Sequence, residues 1–105
     1  GLTFKENCPD IRNTRVVDVV EELESFNCHV DVYDPWVNKD EVVHEYHIRP
    51  ISQPVKGKYD AIVLAVAHDE FKKLSLEQIK AFGKENYVLY DIKYLLDAND
   101  VDGRL

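Results

Sequence analysis

Apolar residues recur along the chain with two different periods, and those periods divide it into alternating elements. From Thr14 to Phe26, Val16, Val17, Val19, Val20, Leu23 and Phe26 are spaced by threes and fours. That spacing predicts a helix with Asp18, Glu21, Glu22 and Glu24 on its solvent face. Asn13 or Thr14 can cap its start and Asn27 can end it. His29–Tyr33 alternates, Val30 and Val32 inward and Asp31 outward, which predicts a strand stopped by Asp34-Pro35. Asn38–Tyr46 reads as a short helix capped by Asn38, and Ile48-Arg49-Pro50-Ile51 as a minor extended piece. Past the break at Gly57, Tyr59–Ala67 is apolar on both faces, the pattern of a central parallel strand covered on two sides.

The second half continues the alternation. His68-Asp69-Glu70-Phe71 turns into a short helical segment. Ser75-Leu76-Glu77-Gln78 is a capping box, in which hydroxyl and amide side chains satisfy each other's orphan backbone groups. The helix it opens carries Leu76, Ile79 and Phe82 and closes at Gly83, and a last strand is expected over Tyr87–Ile92. Leu2-Thr3-Phe4 reads as the end of a first strand, so a piece of a longer protein is expected. Strands alternating with helices at this spacing predict βαβ units. The expected fold is therefore a single α/β domain over residues 1–105, Rossmann-like and three-layered, with a mostly parallel sheet and helices on both faces.

Composition narrows the function classes. With 105 residues, 45% of them hydrophobic, the chain fits one globular domain. The net charge of −7 argues against nucleic acid as a partner. No apolar run reaches the roughly 18 residues of a membrane span and no export signal opens the chain, so a cytoplasmic location is expected. Cys8 and Cys28 are too few for a disulfide scaffold.

Ligands of doubly wound sheets bind at the carboxyl ends of the strands. Here those ends are Phe4–Asn13, Asp34–Val37, His68–Phe71 and Asp91–Tyr94. The first loop lacks the glycines that let backbone approach a pyrophosphate, so a self-sufficient dinucleotide site is not expected. It does carry two cations, Lys5 and Arg12, near an expected helix amino terminus, which favours an anion there. Ion pairs to Glu6 and Asp10 explain the same residues. Cys8 is read as a structural thiol rather than a nucleophile, and His44 and His47 as solvent-facing rather than metal ligands. Asp34 is best explained by turn formation, His68-Asp69 by a helix cap at Asp69, and Trp36 by packing.

Four ordered blocks carry a resemblance. Gly1-Leu2-Thr3-Phe4-Lys5 with Asp10-Ile11-Arg12-Asn13-Thr14 resembles the G-x-x-F-K…D-x-R-x-S signature of the C-terminal domain of the UDP-glucose/GDP-mannose dehydrogenase family. Val32-Tyr33-Asp34-Pro35, Ala65-Val66-Ala67-His68-Asp69-Glu70-Phe71 and Asp91-Ile92-Lys93 are similar to later blocks in the same order. The wording of the first block looks most like the bacterial branch acting on UDP-N-acetylhexosamines for surface polysaccharides.

The resemblance implies a UDP-sugar-binding domain that works with the enzyme's own N-terminal and middle domains in a homo-oligomer. Such enzymes oxidise the sugar C6 alcohol to a carboxylate with NAD, which the N-terminal domain binds. By the same resemblance, Phe4, Lys5 and Lys93 contact the substrate and Arg12 reaches the cofactor. Lys93 stands where many relatives carry an arginine, keeping the charge without the forked donors. The family's nucleophilic cysteine, its general-base aspartate and lysine, and its G-x-G-x-x-G loop belong to the preceding domains, and Cys8 does not match that cysteine. No catalytic residue and no metal ligand is assigned, and the chain alone is expected to be inactive. The competing reading is a free-standing nucleotide-binding or regulatory module.

Overall fold

The computed structural model describes residues 1–104. Helix α1 runs over Val16–Ser25 and buries Val17 and Val20. Its start carries no side-chain cap: Thr14 Oγ1 accepts from the Val16 amide at 3.3 Å while donating to the Leu2 carbonyl at 2.6 Å. Asn27 takes the left-handed conformation that ends the helix, and Phe26, expected on the apolar face, is 72% exposed beyond it. Helix α2, Lys39–Tyr46, is capped as anticipated, with the Asn38 side chain accepting from the Glu41 amide.

Strand β1 is Tyr59–Leu64, followed by short helices α3, Asp69–Lys72, and α4, Leu76–Lys80. The capping box is formed: Ser75 Oγ accepts from the Gln78 amide and Gln78 Oε1 from the Ser75 amide. Helix α4 ends at Lys80, short of Gly83, because Gly83 opens strand β2, Gly83–Asp91. Between the paired positions Tyr59↔Gly83 and Ala61↔Val88 the register slips, and the Tyr87 ring folds back over Gly83. A Cβ there would lie 2.5 Å from Tyr87 Cγ, so the position has no room for one. A single 3-10 turn at Ala98–Asp100 leads to a two-residue strand β3, Gly103–Arg104.

The sheet order is β1-β2-β3 and both pairings are parallel, as the alternation of elements predicts. The central strand is β2, however, not the apolar run Tyr59–Ala67, of which only Tyr59–Leu64 is strand, β1, at the edge of the sheet. The two expected strands before it, at Leu2–Phe4 and His29–Tyr33, form no ladder. Their backbones are bonded elsewhere: the Leu2 and Thr3 amides donate to the Asp34 carboxylate, and the Val32 carbonyl accepts from Ile51. Leu2, Ile11, Val17, Val20, Val32 and Val42 close one core around α1 and α2, while Leu64, Ile79 and Leu89 close a second between α4 and the sheet. Apolar burial of this kind contributes roughly 1.5–3 kcal/mol for each fully buried side chain. No described helix is long and apolar enough to cross a membrane.

Candidate functional site

Three segments distant in sequence meet where β1 ends. Asp34, at the end of the extended segment before Pro35, is buried and accepts four hydrogen bonds. Its Oδ2 takes the Leu2 amide at 2.6 Å, the Thr3 amide at 3.1 Å and His68 Nε2 at 2.8 Å, and its Oδ1 takes the Trp36 amide at 2.8 Å. Burial raises the pKa of this carboxyl, but those donors together outweigh it and hold it below the usual carboxylate range. The bond to Trp36 is the turn expected at Asp34-Pro35. The other three are tertiary.

His68 is fully buried. Its Nδ1 accepts from the Asn7 amide at 2.9 Å, so that nitrogen carries a lone pair and the ring is the neutral Nε2–H tautomer facing Asp34. Thr3 Oγ1 lies 3.2 Å from Nε2 and donates to the Lys5 carbonyl at 2.9 Å. The ring is stacked with Trp36 at 6.0 Å between centroids and tilted against Phe71 at 5.4 Å. Trp36 in turn donates from Nε1 to Glu70 Oε1 at 3.0 Å. The helix cap expected of Asp69 is not made by its side chain; instead its amide donates to Asn7 Oδ1 at 2.9 Å.

The loop between the first segment and α1 is thereby fixed at many points. Its backbone folds on itself through the Phe4 amide and the Asp10 carbonyl, 2.8 Å apart. Asn7 and Asn13 adopt positive φ, a conformation that asparagine tolerates better than most residues. Tyr46 of α2 donates its hydroxyl to the Ile11 carbonyl. At the tip, Phe4 is 56% exposed and Lys5 and Glu6 are exposed beside it. Among the described residues Lys5 forms no ion pair. Arg12 does: its Nε and Nη2 reach the two Asp10 oxygens at 3.0 and 3.2 Å, which lowers the Asp10 pKa through that hydrogen bond. The guanidinium is 84% exposed, so the pair lies in water.

At the end of β2, Asp91 is buried and turns the chain, its carboxylate accepting from the Lys93 and Leu96 amides. Lys93 and Tyr94 are left exposed, with Tyr94 at a φ of 58°. Arg104, which sequence reasoning did not single out, lies over the Tyr94 ring at 4.1 Å. The structure thus brings Phe4 and Lys5 together on one arch and sets Lys93 at a second strand end, while Arg12 sits farther along the same loop in its pair with Asp10.

Other candidates separate from this site. His44 and His47 are exposed, and no group of three metal-capable side chains gathers among the described residues. Cys8 and Cys28 are unpaired thiols, the first partly buried. A cleft of about 320 Å³ opens between α1 and the end of α2, lined by residues including Glu24, Tyr46 and Arg49. None of the candidate site residues lines it.

Residues 1–98 match the model of the UDP-glucose/GDP-mannose dehydrogenase family, UDP binding domain. The chain is 58% identical over 105 residues to a UDP-N-acetyl-D-glucosamine 6-dehydrogenase of Pseudomonas aeruginosa, and 55% identical to one of Salmonella typhi. Both alignments cover the whole of this chain but 25% of the relative, so the chain spans about a quarter of the length of these curated relatives. Among solved structures, the UDP-N-acetyl-mannosamine dehydrogenase Cap5O from S. aureus superposes with a TM-score of 0.71 at 26% identity, over 99% of this chain and 24% of that one. The UDP-D-ManNAc dehydrogenase from Pyrococcus horikoshii does so with a TM-score of 0.74 at 26% identity, over 99% and 23%.

Proposed function

The chain belongs to the UDP-glucose/GDP-mannose dehydrogenase family, and from that premise we propose that it is the C-terminal, UDP-sugar-binding domain of a nucleotide-sugar 6-dehydrogenase. The substrate class is a UDP-N-acetylhexosamine, as in the names of the relatives at 55–58% identity. The reaction is oxidation of the sugar C6 alcohol to a carboxylate with NAD, serving surface polysaccharide synthesis in the cytoplasm. The chemistry and most of the NAD site belong to the enzyme's own N-terminal and middle domains, in a homo-oligomer.

One observation supports the reading for this chain's residues: a loop whose backbone is bonded from both ends presents the side chains of Phe4, Lys5 and Glu6, all exposed, at its tip. In this assignment Lys5 pairs with the charged part of the substrate, Phe4 offers an apolar face, and Lys93 approaches the diphosphate from the end of β2. Arg12 reaches the cofactor by exchanging Asp10 for it, an exchange that costs little because solvent screens an exposed ion pair.

The domain by itself provides one wall of such a site, so it should bind UDP weakly, at about 1 mM, or about −4 kcal/mol. Amide shifts in a UDP titration should cluster on Phe4–Arg12 and Asp91–Tyr94, and shrink as salt screens the cations. In the full-length enzyme, Lys5→Ala removes a charge-assisted hydrogen bond of roughly 1.5–3 kcal/mol and should lower kcat/KM by about ten- to a hundredfold. Shifts centred on His44 and His47, or an unchanged kcat/KM, would overturn the assignment.

A further inference from the structure

A buried histidine is an expensive way to fill space. The ring of His68 is surrounded by Trp36 and Phe71, against which a leucine or phenylalanine would pack as well. What an apolar side chain lacks is two polar atoms on opposite sides of one ring. In His68 both are used, and by different segments: Nε2 by Asp34 and Nδ1 by the backbone of Asn7. Removal of water from an unpartnered donor or acceptor costs about 1–3 kcal/mol, so the ring is tolerated only where both contacts persist.

The consequence falls on three residues. Phe4, Lys5 and Glu6 form an arch whose two feet are Thr3 and Asn7. The Thr3 foot is held by Asp34 through its amide, and its hydroxyl holds the Lys5 carbonyl. The Asn7 foot is held twice by consecutive residues at the start of α3: its amide by His68 Nδ1 and its side chain by the Asp69 amide. Asn7 has a φ of 55°, in the left-handed region, and both bonds are made from that conformation. The His68–Asp34 pair therefore joins the two feet into one rigid base, with the Nε2 hydrogen bond fixing the tautomer that leaves Nδ1 free to accept.

We propose that His68 is a positioning residue of the ligand site: as the neutral Nε2–H tautomer held by Asp34, it fixes the Asn7 amide and thereby sets the direction in which Phe4 and Lys5 project. This rests on the assignment of Phe4 and Lys5 to the substrate, and the test separates the two claims. The substitutions H68N and H68Q divide the functions of the ring. An asparagine oxygen falls near the place of Nδ1 and can still accept from Asn7, but its amide does not reach Asp34. A glutamine amide reaches the place of Nε2 and can still donate to Asp34, but leaves Asn7 without an acceptor.

Hydrogen exchange at the Asn7 amide and UDP affinity are read in the 105-residue chain for both variants and the parent. The Asn7 amide should exchange at least tenfold faster in H68Q than in H68N, with UDP bound at least fivefold more weakly in H68Q. Equal losses in both folded variants, or an H68Q variant that keeps Asn7 protection and affinity, would overturn the proposal. Should neither variant fold, the unmodified chain decides. A long-range proton–nitrogen spectrum showing Nδ1 protonated at neutral pH rejects the clamp, and an Nε2–H tautomer coupled across to Asn7 supports it. A parent chain with that tautomer and a protected Asn7 amide, but no UDP binding, rejects the substrate assignment and leaves the clamp standing.

Discussion

Replacing Asp34 by asparagine keeps the size of the side chain and changes one oxygen into an NH2 group. In the structure Oδ2 accepts from the Leu2 amide, the Thr3 amide and His68, so the new group would present donors to three donors. Turning the amide over only moves the conflict to the Trp36 amide while leaving one acceptor for the rest. The site is buried, so water does not replace the lost partners. Removing one partner of a buried charged network costs about 3–5 kcal/mol. A domain of this length has about 5–15 kcal/mol in total, at about 0.05–0.15 kcal/mol per residue. Asp34→Asn should therefore remove about a fifth or more of the stability and lower Tm by about 12 °C or more, at about 4–8 °C per kcal/mol.

Urea unfolding followed by fluorescence suits the question, because the single tryptophan, Trp36, stacks on His68 within the network. The internal control is Asp31→Asn. Asp31 accepts from Tyr59 and Lys58, at 2.8 and 3.2 Å, both on Oδ2. An asparagine oxygen placed there keeps the acceptor for both donors, so this replacement should cost clearly less than Asp34→Asn. If both variants unfold at the same urea concentration, Asp34 is not the centre of the fold's first half and the account of the site fails.

Two further outcomes follow from the same structure. Because the folded pKa of Asp34 lies below its unfolded value, near 3.9, its contribution is present at neutral pH and is lost as pH falls from about 4 through the folded value; urea midpoints measured along that acid limb should fall more steeply for the parent than for Asp34→Asn, and parallel curves would contradict the pKa direction. Gly83→Ala places a Cβ 2.5 Å from Tyr87 Cγ, so it should cost about 1–3 kcal/mol of overpacking, and a double-mutant cycle with Tyr87→Ala should recover most of that loss; additive effects would show that the ring is free to move away.

What the sequence determined by itself is local. The threefold and fourfold spacing in Val16–Leu23, the Asn38 cap and the Ser75–Gln78 box depend on residues within four positions of each other, and each is found in the structure. The four family blocks are legible for a related reason, since each is a short run of neighbouring residues and needs no knowledge of its neighbours in space. Strand order was not legible. Apolar character in Tyr59–Ala67 does not report strand order: its first six residues form the edge strand β1, in which Ala61 is exposed, and it is β2 that has a partner on both sides.

The site divides in the same way. Phe4, Lys5, Arg12 and Lys93 are marked by type and position, and the Arg12–Asp10 pair, two residues apart, is one of the two local ion pairs the sequence offers; among the described residues Lys5 makes none. Asp34 was read as a turn residue, which its bond to the Trp36 amide supports, and nothing within a few residues announced its three other donors. His68 was read as part of a cap, whereas its two ring nitrogens bond to groups 34 and 61 residues away. A histidine at the end of a buried strand marks a polar need in an apolar place. Which partners meet that need is decided by how the chain closes on itself, because hydrogen-bond geometry depends on distances in space that sequence separation does not encode.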